Sequence, residues 1–181
     1  MSATFVALLR GVNVSGQKRI VMADLRNTLA AAGLTNVRTY LQSGNVVFDA
    51  ENSGAAEQAA AIRERIARDL RHDVAVLVLP STEMQQIALS NPFSSAEVDQ
   101  KWLHVTFLFE HASGTDFAHV ELPAAQGERA ESLGRAVYLY LPHGYGRTRL
   151  NNAFFEKALA MPATTRNWRT VLALARLSAE K

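Results

Sequence analysis

The segment Val37 to Asp49 restricts the folds open to this chain more than any other. Val37, Thr39 and Leu41 alternate with Arg38, Tyr40 and Gln42, then Ser43-Gly44-Asn45 breaks the pattern and Val46, Val47 and Phe48 run back. Alternation of this kind closed by a glycine turn predicts a β-hairpin, and so a sheet with at least one antiparallel pair. The flanking segments are consistent with it. Thr4 to Arg10 is a continuous apolar run ended by Gly11, which predicts a buried strand. Met22 to Ala32 places Met22, Leu25, Leu29 and Ala32 on one helical face, and Gly33 supplies a left-handed stop. Ala55 to Arg71 carries a second stripe through Ala59, Ile62, Ile66 and Leu70; Ser53 is placed to cap it, and Glu64 and Arg68 are spaced to pair. Val74 to Leu79 is another buried strand, closed by Pro80. The order β-α-β-β-α-β predicts an antiparallel sheet with both helices on one face, the ferredoxin-like plan.

A second round follows. Ser81 to Leu89 is a short helix with a Thr82/Gln85 capping box, Trp102 to Phe109 a buried strand, and Glu110 to Gly127 a long polar connection. Glu128 to Ser132 and Ala136 to Leu141 flank Leu133-Gly134-Arg135 as a second hairpin, and Ala153 to Ala160 and Asn167 to Ser178 read as helices. The expected fold is therefore α+β, two fused ferredoxin-like (βαββαβ) repeats produced by internal duplication, with antiparallel sheets and helices packed on one face of each. The expected division is residues 1–80 and 81–181.

Composition excludes several chemistries. The chain has 181 residues and no cysteine, so disulfides, thiolate catalysis and thiolate metal sites are absent. No apolar run approaches the roughly 20 residues that span a bilayer, and the first residues lack the pattern of a signal peptide, so a cytoplasmic location is expected. The net charge of +2 conceals a gradient: Met1 to Thr39 sums to +4, Tyr40 to Pro142 to −7 and His143 to Lys181 to +5. Basic ends around an acidic middle suit a partner bearing phosphates or carboxylates, provided the ends meet.

Three segments place basic residues at the start of a helical pattern. Leu8 to Ile20, LLRGVNVSGQKRI, leaves a strand through Gly11, Asn13, Ser15 and Gly16 and presents Lys18 and Arg19 before a helix. Such a loop can aim backbone N–H groups at an anion, with help from the helix dipole. It is not a Walker A loop, because Gln17 stands where that motif requires lysine. His143 to Leu150, HGYGRTRL, offers Arg147 and Arg149 before a helix that Asn151 or Asn152 can cap. Ala163 to Trp168, ATTRNW, offers Arg166 and Asn167 at a helix start, with Thr164 or Thr165 as the cap. Arginine grips phosphate and carboxylate in bidentate fashion. The five histidines form no ligand pair, no serine sits in a nucleophile elbow, and no two carboxylates are placed together, so the sequence supplies neither a metal site nor a named catalytic group.

The combination ALLRGVNVSGQKRIVMADLR, NVRTYLQSGNVVF, NPF, VYLYLPHGYGRTRL and ATTRNW with TVLAL, spread over the whole chain, resembles the bacterial domain-of-unknown-function family 1697. The resemblance implies two ferredoxin-like repeats and brings no assigned reaction and no cofactor. Val21 stands where that family often has proline, and Arg149 where lysine is frequent. The matching polar positions are Arg10, Asn13, Lys18, Gln42, Ser43, Asn45, Arg147, Arg149, Arg166 and Asn167, and they form the candidate anion-binding set. The function expected is binding of a phosphate-bearing ligand, a nucleotide or nucleic acid, in a basic cleft between the repeats, with Tyr40, Tyr138, Tyr140 and Trp168 as candidate base-stacking rings. The alternatives are an enzyme acting on a phosphorylated metabolite and a protein-interaction scaffold. No metal or membrane is expected as a partner.

Overall fold

The computed structural model describes residues 2–14, 16, 18–51, 54–112 and 117–180. Ser53, expected to cap a helix, and Ser15 and Gln17 of the opening loop lie outside the described residues. By internal contacts the chain forms two compact units, Met1–Gln86 with Ala173–Lys181, and Ile87–Leu172.

In the first unit, β1 (Ser2–Leu9), β2 (Thr35–Tyr40), β3 (Asn45–Glu51) and β4 (Val76–Pro80) form one antiparallel sheet in the order β2-β3-β1-β4. Helices α1 (Met22–Ala31) and α2 (Ala55–Leu70) follow β1 and β3. Phe5, Ala7 and Leu9 of β1 join Val46, Phe48, Val76 and Val78 in one core with Leu25 and Leu29 of α1 and Ile62 and Ile66 of α2. Side chains alternate across a strand, so this core lies on one face of the sheet and both helices pack there. Val6, Leu8, Val47, Leu77 and Leu79, which point the other way, are equally buried. Burial on both faces is why the β1 and β4 sequences are continuous apolar runs rather than alternating ones. Each of the larger side chains contributes roughly 1.5–3 kcal/mol through removal from water.

Gly33 ends α1 at φ 92°, with its N–H on the Ala30 carbonyl at 3.0 Å. On α2, Arg65 and Arg68 both pair with Asp69, where the spacing suggests Glu64 with Arg68. Arg38 on β2 donates to the Leu177 carbonyl at 2.8 Å and meets Glu180 at 3.3 Å, which ties the end of the chain to this edge strand.

The second unit has the same permutation of strands. Here β5 (Leu103–Leu108), β6 (Arg129–Leu133), β7 (Ala136–Tyr140) and β8 (Ala163–Asn167) are antiparallel in the order β6-β7-β5-β8. Helix α3 (Ser81–Leu89) precedes β5, α4 (Asn152–Leu159) precedes β8, and α5 (Trp168–Ala179) follows it; the boundary between units falls inside α3 and inside α5. A core of Leu108, Val137, Leu139, Leu141, Leu150, Phe155 and Ala163 carries this sheet, and Phe117 of the long connection stacks on Phe155 at 6.4 Å. β6 is an edge strand, with Arg129, Glu131 and Leu133 exposed. The molecule is thus α+β with two four-stranded antiparallel sheets.

Two local expectations need correction. The first hairpin turns at Leu41–Gly44, not at Ser43–Asn45: Tyr40 pairs with Asn45, so Asn45 opens β3. Leu41 and Gly44 adopt φ of 58° and 77° to make this tight return. In addition, Ala163–Asn167 is a strand on β5 rather than a helix entry. Five residues are too few for a helical period to show, and the paired threonines favour extended backbone.

Among the first unit's described glycines, Gly44 is the one with no room for a Cβ. A Cβ there would lie 2.5 Å from Val12 Cγ2 and 2.7 Å from Leu9 Cβ, at positive φ. Gly44→Ala is expected to cost at least about 2 kcal/mol in urea denaturation, since strain and overpacking add. Gly11→Ala, at φ 68° with open space around it, has only the strain to bear and is expected to cost about 1 kcal/mol.

Candidate functional site

Three segments of the first unit meet where β1 runs out. Leu9 N donates to the Gly44 carbonyl at 2.8 Å and Arg10 N to the Ala75 carbonyl at 2.9 Å, so the loop after β1 is held by the hairpin turn on one side and by the entry to β4 on the other. Asn13 closes the loop on itself. It sits at φ 55°, which asparagine tolerates better than most residues, and its Nδ2 donates to the carbonyls of Ile20 (2.9 Å) and Gln42 (2.7 Å). Its Oδ1 accepts from Ile20 N at 3.0 Å, and its own N–H donates to the Lys18 carbonyl at 3.2 Å. Lys18 extends its ammonium to the Asp73 carbonyl at 2.7 Å. Asp73 is itself gripped by Arg63, whose hydrogen bonds and charge hold the carboxyl below the usual range. Asn45, fully buried, donates to the Tyr40 carbonyl at 2.8 Å and to Ser43 Oγ at 2.9 Å.

Of the ten sequence-flagged positions, Arg10, Asn13, Lys18, Gln42, Ser43 and Asn45 are therefore brought to one end of the first sheet. Asn13, Lys18, Ser43 and Asn45 spend their polar atoms on backbone or on one another. These bonds build the loop.

Beside this braced loop is a depression of 430 Å³ lined by Asn13, Arg19, Ile20, Val21, Met22, Ala23, Arg26 and Gln42. It opens at the start of α1. Val21 occupies the N-cap with no side-chain acceptor, so the first N–H groups of the helix have no cap. Arg19 is exposed; Arg26 is half-buried and donates to Thr39 Oγ1 at 2.6 Å. Asp24 is exposed on the same first turn. Arg26 was missed by the sequence reading because, taken alone, it is one more polar residue on an amphipathic helix. Its place one turn into α1, beside the cap, is the signal that would have found it. A larger hollow of 930 Å³ at the opposite end of this sheet, lined by Leu29, Leu34, Ala50, Gln58, Ile62 and Arg65 among others, contains none of the flagged residues.

The second unit holds the other four. Arg147 and Arg149 are exposed on the loop between β7 and α4. Between them, buried Thr148 donates to Glu128 Oε2 at 3.0 Å and accepts from Leu150 N at 3.0 Å, while the same Glu128 oxygen accepts from Ala125 N at 2.9 Å. Glu128, at the start of the second hairpin's polar arm in the sequence, is a buried carboxylate. Arg166 is not at a helix entry: it is 7% exposed and donates through Nη1 to Thr164 Oγ1 (2.7 Å) and the Thr165 carbonyl (3.0 Å). Burial pulls its pKa down to about 10, against the attraction of Tyr145, so it remains a cation at neutral pH. Asn167 is exposed, and its Oδ1 accepts from Thr170 N at 2.9 Å as the cap of α5.

His104, opposite Asn167 on β5, stacks on Tyr145 with centroids 5.1 Å apart and planes at 24°. Burial lowers its pKa; the Trp102 carbonyl nearby favours the charged form slightly but makes no well-formed hydrogen bond with the buried Nδ1. Of the candidate stacking rings, Tyr138 and Trp168 are 1% and 2% exposed and belong to the interior, with the Tyr138 hydroxyl donating to the Ile87 carbonyl at 3.0 Å. Among the described residues, no group of three or more histidines and carboxylates is placed to hold a metal ion, and no helix is long and apolar enough to cross a membrane.

The sequence model of the family described as "Protein of unknown function (DUF1697)" matches residues 2–138. The chain belongs to the DUF1697 family. The match covers the whole of the first sheet and extends into β7, and it ends before Arg147, Arg149, Arg166 and Asn167. No curated protein matches this DUF1697 chain. Among solved structures it is similar to the conserved bacterial protein SP0830 from Streptococcus pneumoniae, with a TM-score of 0.74, 22% identity, and coverage of 98% of this chain and 99% of that one. At that identity the likeness speaks for the fold.

Two measurements check these assignments. Asn13→Gly keeps the backbone conformation but deletes the side-chain bonds, and is expected to lower the unfolding free energy by about 2 kcal/mol; a loss near zero would mean the loop is held by other contacts. His104, with its pKa depressed in the fold, contributes stability that is complete above its unfolded value near 6.5 and is lost as pH falls below it, because the unfolded chain then takes up a proton the fold resists. His104→Gln is expected to flatten the decline in stability between pH 7 and pH 5.

Proposed function

We propose that this DUF1697 protein binds a phosphate-bearing ligand, a nucleotide or nucleic acid, in the cytoplasm, on a scaffold of two ferredoxin-like repeats that arose by internal duplication. The repeat reading is supported by the shared permutation of strands in the two sheets. The binding reading rests on one observation: the start of α1, which has no side-chain cap, Arg19, Arg26 and Gln42 line a single depression. The positive end of the helix dipole, with no side-chain acceptor at the N-cap, favours an anion there, and two guanidiniums can add charge-assisted hydrogen bonds. The Asn13 bonds to Ile20 and Gln42 hold the backbone on two sides of this depression, which lowers the ordering cost of binding.

Calorimetric titration with inorganic phosphate, mononucleotides and short oligonucleotides at low salt tests the proposal. The Arg19→Ala/Arg26→Ala double variant is expected to bind at least about tenfold more weakly, on the scale of one or two charge-assisted hydrogen bonds. No binding of any phosphate-bearing ligand, or equal binding by the double variant, overturns it.

A further inference from the structure

The loop between β7 and α4 is built to present two cations from a fixed backbone. Tyr145–Arg147 is a single 3-10 turn, and Thr148 after it is extended at φ −78° and ψ 150°. Exposure then alternates: Arg147 and Arg149 are exposed, while Thr148 and Leu150 are 7% and 0% exposed. In extended chain, alternate residues share a side and stand roughly 6.7 Å apart. The backbone is held at both ends. Gly144 N donates to the Leu141 carbonyl at 3.0 Å and Arg147 N to the Gly144 carbonyl at 3.2 Å, and Asn151 accepts from Phe154 N at 3.1 Å as the cap of α4. In the middle, Thr148 is locked to Glu128. The carboxylates of this region face inward: Glu128 holds Thr148 and Ala125, and Glu156 accepts from Ala163 N at 2.9 Å. Neither is spent on the two arginines.

We infer that this loop is a contact surface for single-stranded nucleic acid, with Arg147 and Arg149 on successive phosphates and the Tyr145–His104 stack beside them receiving a base. Two exposed guanidiniums on either side of the extended Thr148 suit a repeating polyanion better than a lone nucleotide, which favours an enclosed pocket. Half-buried stacked rings next to such a basic track are the arrangement by which single strands are held without sequence preference. The inference takes from the proposed function only that the ligand bears phosphates; the depression at α1 is separate evidence.

Fluorescence anisotropy with a labelled 15-nucleotide oligo-dT, titrated from about 50 to 200 mM salt, tests it on the full-length protein. Log affinity is expected to fall linearly with log salt. Arg147→Ala and Arg149→Ala, both at exposed positions that leave folding intact, are each expected to reduce the slope by about 0.7 and to weaken binding about fourfold near 0.15 M salt, the value of one released counterion. Tyr145→Leu is expected to weaken binding at least about fivefold with the slope unchanged, while Tyr145→Phe keeps near-full affinity because the ring is retained. An unchanged slope in the Arg147→Ala/Arg149→Ala double variant overturns the inference, as does binding of labelled polyglutamate in place of the oligonucleotide. Loss of oligonucleotide binding in Arg19→Ala/Arg26→Ala alone removes this loop from the contact and leaves the depression standing. Loss in the loop variants alone does the reverse.

Discussion

The approach of the hairpin turn to the end of β1 is the contact from which the first unit's loop architecture follows. Gly44 lies against Leu9 and Val12 with no room for a methyl group, and its carbonyl takes the Leu9 N–H. That contact fixes where the chain leaves the sheet. Asn13 can then reach the Gln42 carbonyl across the gap, and Lys18 the Asp73 carbonyl on the far side. Four of the polar residues that look like ligand-binding groups in the sequence are consumed in this bracing. Of the arginines beside this loop, Arg19 remains exposed, while Arg26 is half-buried and bonded to Thr39.

The second unit reaches a comparable result by other means. Its long loop is pinned by a buried carboxylate, Glu128, rather than by an asparagine bridge. A glutamate removed from water is costly unless its oxygens are hydrogen-bonded, and here one oxygen accepts both a hydroxyl and an amide N–H. The outcome is a backbone held still beneath two side chains that remain in solvent. Arg166 shows the opposite treatment: it is withdrawn into the sheet, bonded to its own strand, and removed from the inventory of surface cations.

Much of the architecture was legible in the sequence, for identifiable reasons. The continuous run Phe5 to Leu9, the stripe through Met22, Leu25 and Leu29 and the alternation before Gly44 each carry a period long enough to read, and the sheets and helices stand where those periods put them. The failures are short or non-local. In sequence Ala163–Asn167 reads as a helix entry, because five residues carry no period and Trp168 opens a genuine helix directly after them. The candidate site was half legible. Glycine-containing loops rich in polar residues mark where these bracing contacts gather, but the contacts themselves join residues distant in sequence, such as Asn13 with Gln42 and Thr148 with Glu128, which no local pattern encodes.

The edge strand β6 has a consequence of a different kind. An unpaired strand border invites a neighbouring chain to dock as an additional strand, the first step toward fibrous assembly. Here that border is only five residues long and carries a guanidinium and a carboxylate, Arg129 and Glu131, on its exposed side. An extending strand would have to strip water from these charges, which disfavours strand addition at this border.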